Sequence, residues 1–290
     1  MHPDLGQLSP RQRELVDRWL PGATVERDHS WGLVGTTVLE LRGPDGASYV
    51  VKAGDAGDHH IAREHAAHRQ WLEPWTSIGR APRLVHGDVE ARLLVTEYLP
   101  GELVEGTAHE WDPDTYRQAG GLLVRLHGQS AVLDDGEFER RQKEETLAWL
   151  GRPHRIAAET AAVLTEEVET WPSPRSVVVP THGDWQPRNW LVHEGHVGVI
   201  DFGRADVRPA YTDLGRLAAQ QFRTRPELEE AFLDGYGSDP REPDTWLRLR
   251  IREAVGTAAW AFKVGDEAYE QQGHRMIADV VEELLANTGD

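Results

Sequence analysis

Apolar residues recur at helical spacing between residues 10 and 20, where Leu15, Val16, Trp19 and Leu20 fall near a 3.6-residue period and Pro21-Gly22 ends the run. This predicts a short amphipathic helix acting as a lid or cap. The period then shortens to the alternation of strands. WGLVGTTVLEL (31–41) and ASYVVKA (47–53) are strand runs joined by Gly43-Pro44-Asp45-Gly46, so an antiparallel hairpin preceded by a glycine-bearing loop is expected. Asp58 is placed to cap a helix over about 58–72, Pro74 follows it, and RLVHG (83–87) and RLLVTEYL (92–99) supply two more strands around Asp88-Val89-Glu90.

Pro100-Gly101 breaks this regular pattern and is the best hinge candidate. Beyond it the pattern is mostly helical. Pro113 after Asp112 opens a helix with Tyr116, Ala119, Leu123 and Leu126 on one face, ending at His127-Gly128. Further helices are expected over about 139–150, 154–170, 211–222, 226–236, 243–264 and 266–287, interrupted by one β island near 176–204. The pattern therefore predicts an α+β chain with two lobes. Residues 1–98 form a small antiparallel-sheet lobe with one inserted helix, and residues 99–290 form a larger, mainly helical lobe. No internal repeat of 20 to 50 residues interrupts this reading.

Composition narrows the chemistry. The 290 residues include no cysteine, which excludes a disulfide framework, a thiolate nucleophile and any Cys-ligated metal. There is no secretion-type apolar run near the start and no stretch of about 18 apolar residues, so a soluble, cytoplasmic protein without a membrane partner is expected. The net charge of −18 opposes binding to a nucleic-acid backbone and favours cationic or small neutral partners. The acidity is uneven: residues 1–98 carry net −3 and residues 99–290 carry net −15. Only Lys52, Lys143 and Lys263 are lysines among 31 basic residues, so Lys52 inside the apolar run SYVVKA points to a need for an ammonium group.

The β island, THGDWQPRNWLVHEGHVGVIDFGRAD, concentrates the candidate chemistry. NWLVH and HVGVI flank a Glu-Gly turn, which puts Asn189 at one base of a hairpin and Asp201 at the other. Two oxygen ligands suited to Mg²⁺ then face one spot. Asp184 lies five residues before Asn189, in a loop held by Pro180 and Pro187, where its carboxylate can approach a bound hydroxyl. Such an arrangement meets the needs of phosphoryl transfer.

These residues resemble the aminoglycoside phosphotransferase family, whose fold is that of protein kinases. His182-Gly183-Asp184 with Asn189 is similar to its HGDxxxxN loop, and Ile200-Asp201-Phe202-Gly203 to its IDxG motif. The resemblance implies Asp184 as catalytic base, Asn189 and Asp201 as magnesium ligands, and ATP as phosphoryl donor. It also implies that Lys52 contacts the nucleotide α and β phosphates with Glu64 as its ion-pair partner, Glu73 being the competing candidate. The loop DHSWGLVGTT has Gly32 and Gly35 but departs from GxGxxG; Ser30, Thr36 and Thr37 can donate to phosphate there. Glu97 and Tyr98, at the hinge, complete the nucleotide-binding set. Asp213 matches a structural aspartate that opens the next helix.

Other candidates are weaker. His60, Glu64 and His68 share one helix face at i, i+4, i+8, which reads as a polar surface rather than a zinc site. Trp185 and Trp190 read as core, and His182 as a brace for its loop. Only the eight residues Arg204 to Tyr211 separate the IDxG-like motif from the next helix, too few for a peptide-binding platform, so a small-molecule hydroxyl is the expected acceptor. The family's acceptors include aminoglycosides, cationic peptide antibiotics, choline, homoserine and sugars. The acidic C-terminal lobe favours a cation, with Glu253, Asp266, Glu267 and Glu270 as candidate acceptor contacts. A metabolite kinase is the nearest alternative, and a nucleotide-binding regulator without turnover the more distant one.

Overall fold

The computed structural model describes residues 5–30 and 35–287. In chain order the elements are α1 (Pro10–Trp19), β1 (Thr24–Asp28), β2 (Thr36–Arg42), β3 (Ser48–Gly54), α2 (His60–Gln70), α3 (Glu73–Thr76), β4 (Leu84–Asp88), β5 (Leu93–Glu97), β6 (Glu102–Leu103), α4 (Pro113–His127), β7 (Val132–Asp134) and α5 (Glu137–Leu150). There follow α6 (Ala158–Thr170), β8 (Ser176–Thr181), β9 (Trp190–His193), β10 (His196–Val199), β11 (Asp206–Arg208), α7 (Gly215–Ala219), α8 (Gln221–Thr224), α9 (Pro226–Tyr236), α10 (Pro243–Val264) and α11 (Glu267–Asn287). Packing divides the chain into two compact units, each assembled from separate stretches. The first contains Met1–Gln129, Pro180–Val207 and Arg225–Gly237, and the second Ser130–Val179, Arg208–Thr224 and Ser238–Asp290.

The first unit is built on a five-stranded antiparallel sheet of order β1-β2-β3-β5-β4. Side chains alternate across it, so Leu39, Leu41, Val51, Ala53, Leu93 and Val95 bury one face together with Leu15 and Val16 of α1. At roughly 1.5 to 3 kcal/mol per fully buried aliphatic side chain, this packing fixes the register. A slip of one residue would turn every one of them outward. Lys52, between Val51 and Ala53, is thereby directed to the opposite face. Helix α1 caps this face of the sheet, the cap rather than the lid of the two roles its sequence offers: Ser9 and Gln12 form a capping box, and the Gln12 amide donates to the carbonyls of Gly54 (3.0 Å) and Ala91 (2.9 Å).

The helix expected from Asp58 is found. One oxygen of Asp58 accepts the N–H groups of His60 (3.0 Å) and Ile61 (2.9 Å), and the other accepts the Thr36 hydroxyl (3.0 Å), so the start of α2 is tied to the start of β2. Ile61, Glu64 and Ala67 are the buried side chains of α2. The hairpin of β9 and β10 pairs His193 with His196 and Trp190 with Val199, and its turn residues Glu194 (φ +50°) and Gly195 (φ +76°) both have the left-handed backbone of a two-residue type I′ turn. Helix α4 has Asp112 as its cap and packs on α9 through glycine: a Cβ on Gly235 would stand 1.9 Å from the Arg117 carbonyl.

In the second unit, α10 and α11 pack with α5 and α6 around Ile156, Leu164, Val168, Trp171, Ile251, Val255, Ile277 and Val280. The helix expected over 211–222 is divided into a 3-10 turn and the short α7 and α8, broken at Gln220. Among the described residues, no helix is long and apolar enough to cross a membrane.

Candidate active site

The site in the first unit grows from the register of β3. Lys52 leaves the non-core face of the sheet and meets Glu64 of α2, with Nζ at 2.8 and 3.0 Å from the two carboxylate oxygens. Glu64 is only 3% exposed and Lys52 is largely buried, so neither charge is stable there without the other. Asp201 joins them, its Oδ1 at 3.3 Å from Lys52 Nζ. Burial opposes the lysine's charge, but the Asp201 and Glu64 carboxylates outweigh it and hold Lys52 above the ordinary lysine range. In return the Lys52 charge keeps the Asp201 carboxylate ionised, with its pKa down at about 2. Asp201 has φ +65°, a left-handed conformation that costs a non-glycine residue about 1 kcal/mol or more and persists where the surroundings enforce it.

The loop between β8 and β9 is fixed from within. Gly183, at φ +78°, makes its turn. His182 is fully buried and works as the brace expected of it: Nε2 lies 3.2 Å from the Ile200 carbonyl, and Nδ1 accepts the Asp184 N–H at 3.3 Å. Asp184, 3% exposed, receives Gln186 Nε2 on Oδ1 at 2.6 Å, and on Oδ2 both Arg188 Nη2 at 2.7 Å and Asn189 Nδ2 at 3.1 Å. Asn189 Nδ2 also donates to the Asp184 carbonyl at 2.7 Å. Its amide nitrogen is thereby committed, and Oδ1 is the atom available to a ligand. Trp185 and Trp190 are buried and pack with Trp75, Phe202 and Tyr116, as core residues.

The structure thus brings Lys52, Glu64 and Asp201 into one cluster, and Asp184 and Asn189 into another. Gln186 and Arg188 were not singled out in the sequence; their signal is that they are the polar donors of the loop, two and four residues after Asp184. The remaining nucleotide candidates are placed less directly. Ser30 Oγ accepts the Val38 N–H (2.9 Å), whereas the Thr36 hydroxyl proton is spent on Asp58. Gly35 lies against Asp55, whose carboxylate oxygen would be 1.9 Å from a Cβ there. Gly32 lies outside the described residues. Glu97 ends β5 and Tyr98 donates its N–H to the Ser48 carbonyl (3.0 Å).

The acceptor candidates Glu253, Asp266, Glu267 and Glu270 belong to the second unit. Asp266 and Glu267 are exposed, Glu253 is half-buried beside Arg252 (2.9 Å), and Glu270 is buried and pairs with Arg155 at 3.1 Å. Asp213 is buried in the turn before α7. The His60, Glu64 and His68 face is not the polar surface expected. Glu64 is taken by Lys52, His60 Nδ1 lies 2.9 Å from the Gly203 carbonyl, and both ring nitrogens of His68 are buried without a hydrogen-bond partner.

Residues 33–251 match the phosphotransferase enzyme family, APH. The chain belongs to this family. Both motifs of the β island and the Lys52–Glu64 pair lie inside the matched region. The chain is 27% identical over 190 residues to an aminoglycoside 3'-phosphotransferase of Escherichia coli, a stretch that is 63% of this chain and 65% of that protein, so it spans just under two thirds of the curated relative. The fold is shared with solved phosphotransferases. Aminoglycoside phosphotransferase APH(4)-Ia, as a thermostable mutant in ternary complex with ADP and hygromycin B, superposes with a TM-score of 0.69 at 12% identity, over 94% of this chain and 98% of that one. A choline kinase from Streptococcus pneumoniae gives a TM-score of 0.61 at 16% identity, over 94% and 97%. The α+β, kinase-like architecture expected from the sequence is therefore the one found.

Proposed function

We propose that this APH-family chain transfers the γ-phosphoryl group of ATP, with Mg²⁺, to a hydroxyl of a small cationic antibiotic such as an aminoglycoside, and so confers resistance. The observation that carries this is the three-way contact of Lys52 with Glu64 and Asp201, in the same unit as a buried Asp184 that Asn189 holds by two hydrogen bonds. In this reading residues 1–98 bind the nucleotide, and residues 99–290 carry the catalytic loop and the acceptor. Lys52, positioned by Glu64, meets the nucleotide phosphates, together with Ser30, Gly32, Gly35 and Thr36 of the loop and Glu97 and Tyr98 at the hinge. Asp184 takes the proton of the acceptor hydroxyl.

The residues present fit the metal as well as the nucleotide. Asp201 is ionised and 52% exposed, and the Asn189 amide is oriented with its oxygen left over, which together are hard oxygen donors of the kind Mg²⁺ prefers. When bound, Mg²⁺ supplies charge neutralisation to the phosphate oxygens. The dependence on ATP is consistent with a cytoplasmic enzyme.

The cationic acceptor is supported by the net charge of −15 on residues 99–290, with exposed Asp266 and Glu267 as the most accessible of the four candidate carboxylates. A metabolite kinase acting on choline, homoserine or a sugar is the second reading, favoured by the likeness to a choline kinase. The test is turnover of purified protein with Mg-ATP against aminoglycosides, cationic peptide antibiotics, choline, homoserine and sugars, followed by ADP release and the mass of the acceptor. Phosphorylated antibiotic is the expected result. Turnover of a metabolite alone would replace the first reading with the second, and nucleotide binding without turnover of any acceptor would leave the regulator.

A further inference from the structure

We propose that Arg188 is a further catalytic residue, whose guanidinium leaves Asp184 during turnover and takes hold of the oxygens of the phosphoryl group in transfer. This rests on the phosphotransferase reading above. The starting point is the environment of Asp184, whose side chain is 4% exposed and receives donors from the side chains of Gln186, Asn189 and Arg188. Two of these are neutral amides, and Asn189 is further fixed by its second bond to the Asp184 carbonyl. Arg188 differs from both. It is charged, its contact is short at 2.7 Å, and its side chain is 32% exposed, so it reaches from the buried carboxylate toward solvent.

The Arg188 guanidinium therefore stands 2.7 Å from the carboxylate proposed as base, beside which the acceptor hydroxyl and the phosphoryl group must meet. Phosphoryl transfer spreads negative charge over three oxygens, and the planar five-donor fork of arginine matches such a group. The contact with Asp184 also occupies a lone pair that a general base needs. Moving the guanidinium to the phosphoryl group answers both requirements in one exchange of partners.

The balance of the step is simple. The acceptor hydroxyl gives its proton to Asp184 Oδ2, its oxygen bonds to the γ-phosphorus, and the bond from that phosphorus to the bridging oxygen breaks with its electron pair leaving on ADP. The rival explanation is that Arg188 is a static brace, and the two differ in which state of the reaction they affect.

Calorimetry on the full chain separates them without any knowledge of the acceptor. Wild type, Arg188→Ala and Arg188→Lys are titrated with Mg-ADP alone, then with Mg-ADP plus aluminium fluoride as a mimic of the transferring phosphoryl group. The expected result is Mg-ADP affinity within about threefold of wild type in both variants. The extra affinity conferred by aluminium fluoride should fall at least about tenfold in Arg188→Ala and be partly kept in Arg188→Lys, with kcat reduced by about 10²-fold or more in Arg188→Ala. An aluminium fluoride increment equal to wild type in Arg188→Ala overturns the proposal, as does the lack of any increment in wild type. Lost Mg-ADP binding with a lowered denaturation midpoint in Arg188→Ala also overturns it, in favour of the brace. Failure of wild type to bind Mg-ADP at all would instead remove the phosphotransferase reading and this inference with it.

Discussion

At the scale of single residues, the first unit holds several charged or polar side chains where water is scarce, and the pairing of each decides what it can do. Lys52 is shared by the Glu64 and Asp201 carboxylates, so the cluster keeps one net negative charge. His68, four residues after Glu64, has no such partner: it packs edge-on against Phe202 with both ring nitrogens buried, and burial together with the nearby Lys52 charge pulls its pKa down to about 3. The folded chain therefore resists a proton that the unfolded chain accepts near pH 6.5, so the stability contributed is complete above that pH and is lost as pH falls toward 3. The slope is up to about 1.4 kcal/mol per pH unit. Denaturant unfolding between pH 6.5 and 5 should show wild type losing about 2 kcal/mol more than His68→Leu. Parallel profiles would mean that His68 is protonated in the folded chain. Sequence placed His68 on a polar surface because spacing along a helix gives a shared face but not the direction of that face.

At the scale of elements, legibility followed local chemistry. The hairpin of β9 and β10 was readable because Glu-Gly between two apolar runs leaves few alternatives, and α4 because Asp-Pro opens a helix. By contrast β1, TVERD, is a mostly exposed strand without apolar alternation, and only its pairing with β2 makes it a strand. For α1 the amphipathic pattern leaves lid and cap open, because it says that one face is buried and not against what; packing on the sheet makes it a cap. Asp58 was read as a cap, yet its second bond, to Thr36, could not be seen from spacing. That double role predicts a cost: Asp58→Ala should destabilise by about 1 to 2 kcal/mol in denaturant unfolding, and Asp58→Asn by less, since the amide keeps one acceptor for the helix N–H groups. A variant as stable as wild type would show that α2 starts without its cap.

At the scale of the whole molecule, charge and motif carry different parts of the account. The HGD and IDFG motifs single out Asp184, Asn189 and Asp201 in the sequence, and the structure joins Asp184 to Asn189 and Asp201 to Lys52. Gln186 and Arg188 were not legible there, since loop positions between motif residues carry no periodicity. The charge of −15 on residues 99–290 speaks only to the acceptor. Long-range attraction between exposed carboxylates and a cation is screened by salt, so the KM for a cationic acceptor should rise between low and physiological ionic strength more steeply than the KM for ATP. Equal salt dependence would remove the electrostatic argument for a cationic acceptor while leaving the phosphotransfer chemistry intact. That chemistry is tested most directly by single-turnover transfer from ATP labelled at the γ-phosphorus to the best acceptor, comparing wild type with Asp184→Asn. The amide keeps the shape of the side chain but cannot accept the hydroxyl proton, so transfer should slow by about 10² to 10⁴-fold while Mg-ATP affinity stays within a few fold. Transfer by Asp184→Asn at the wild-type rate would contradict the account.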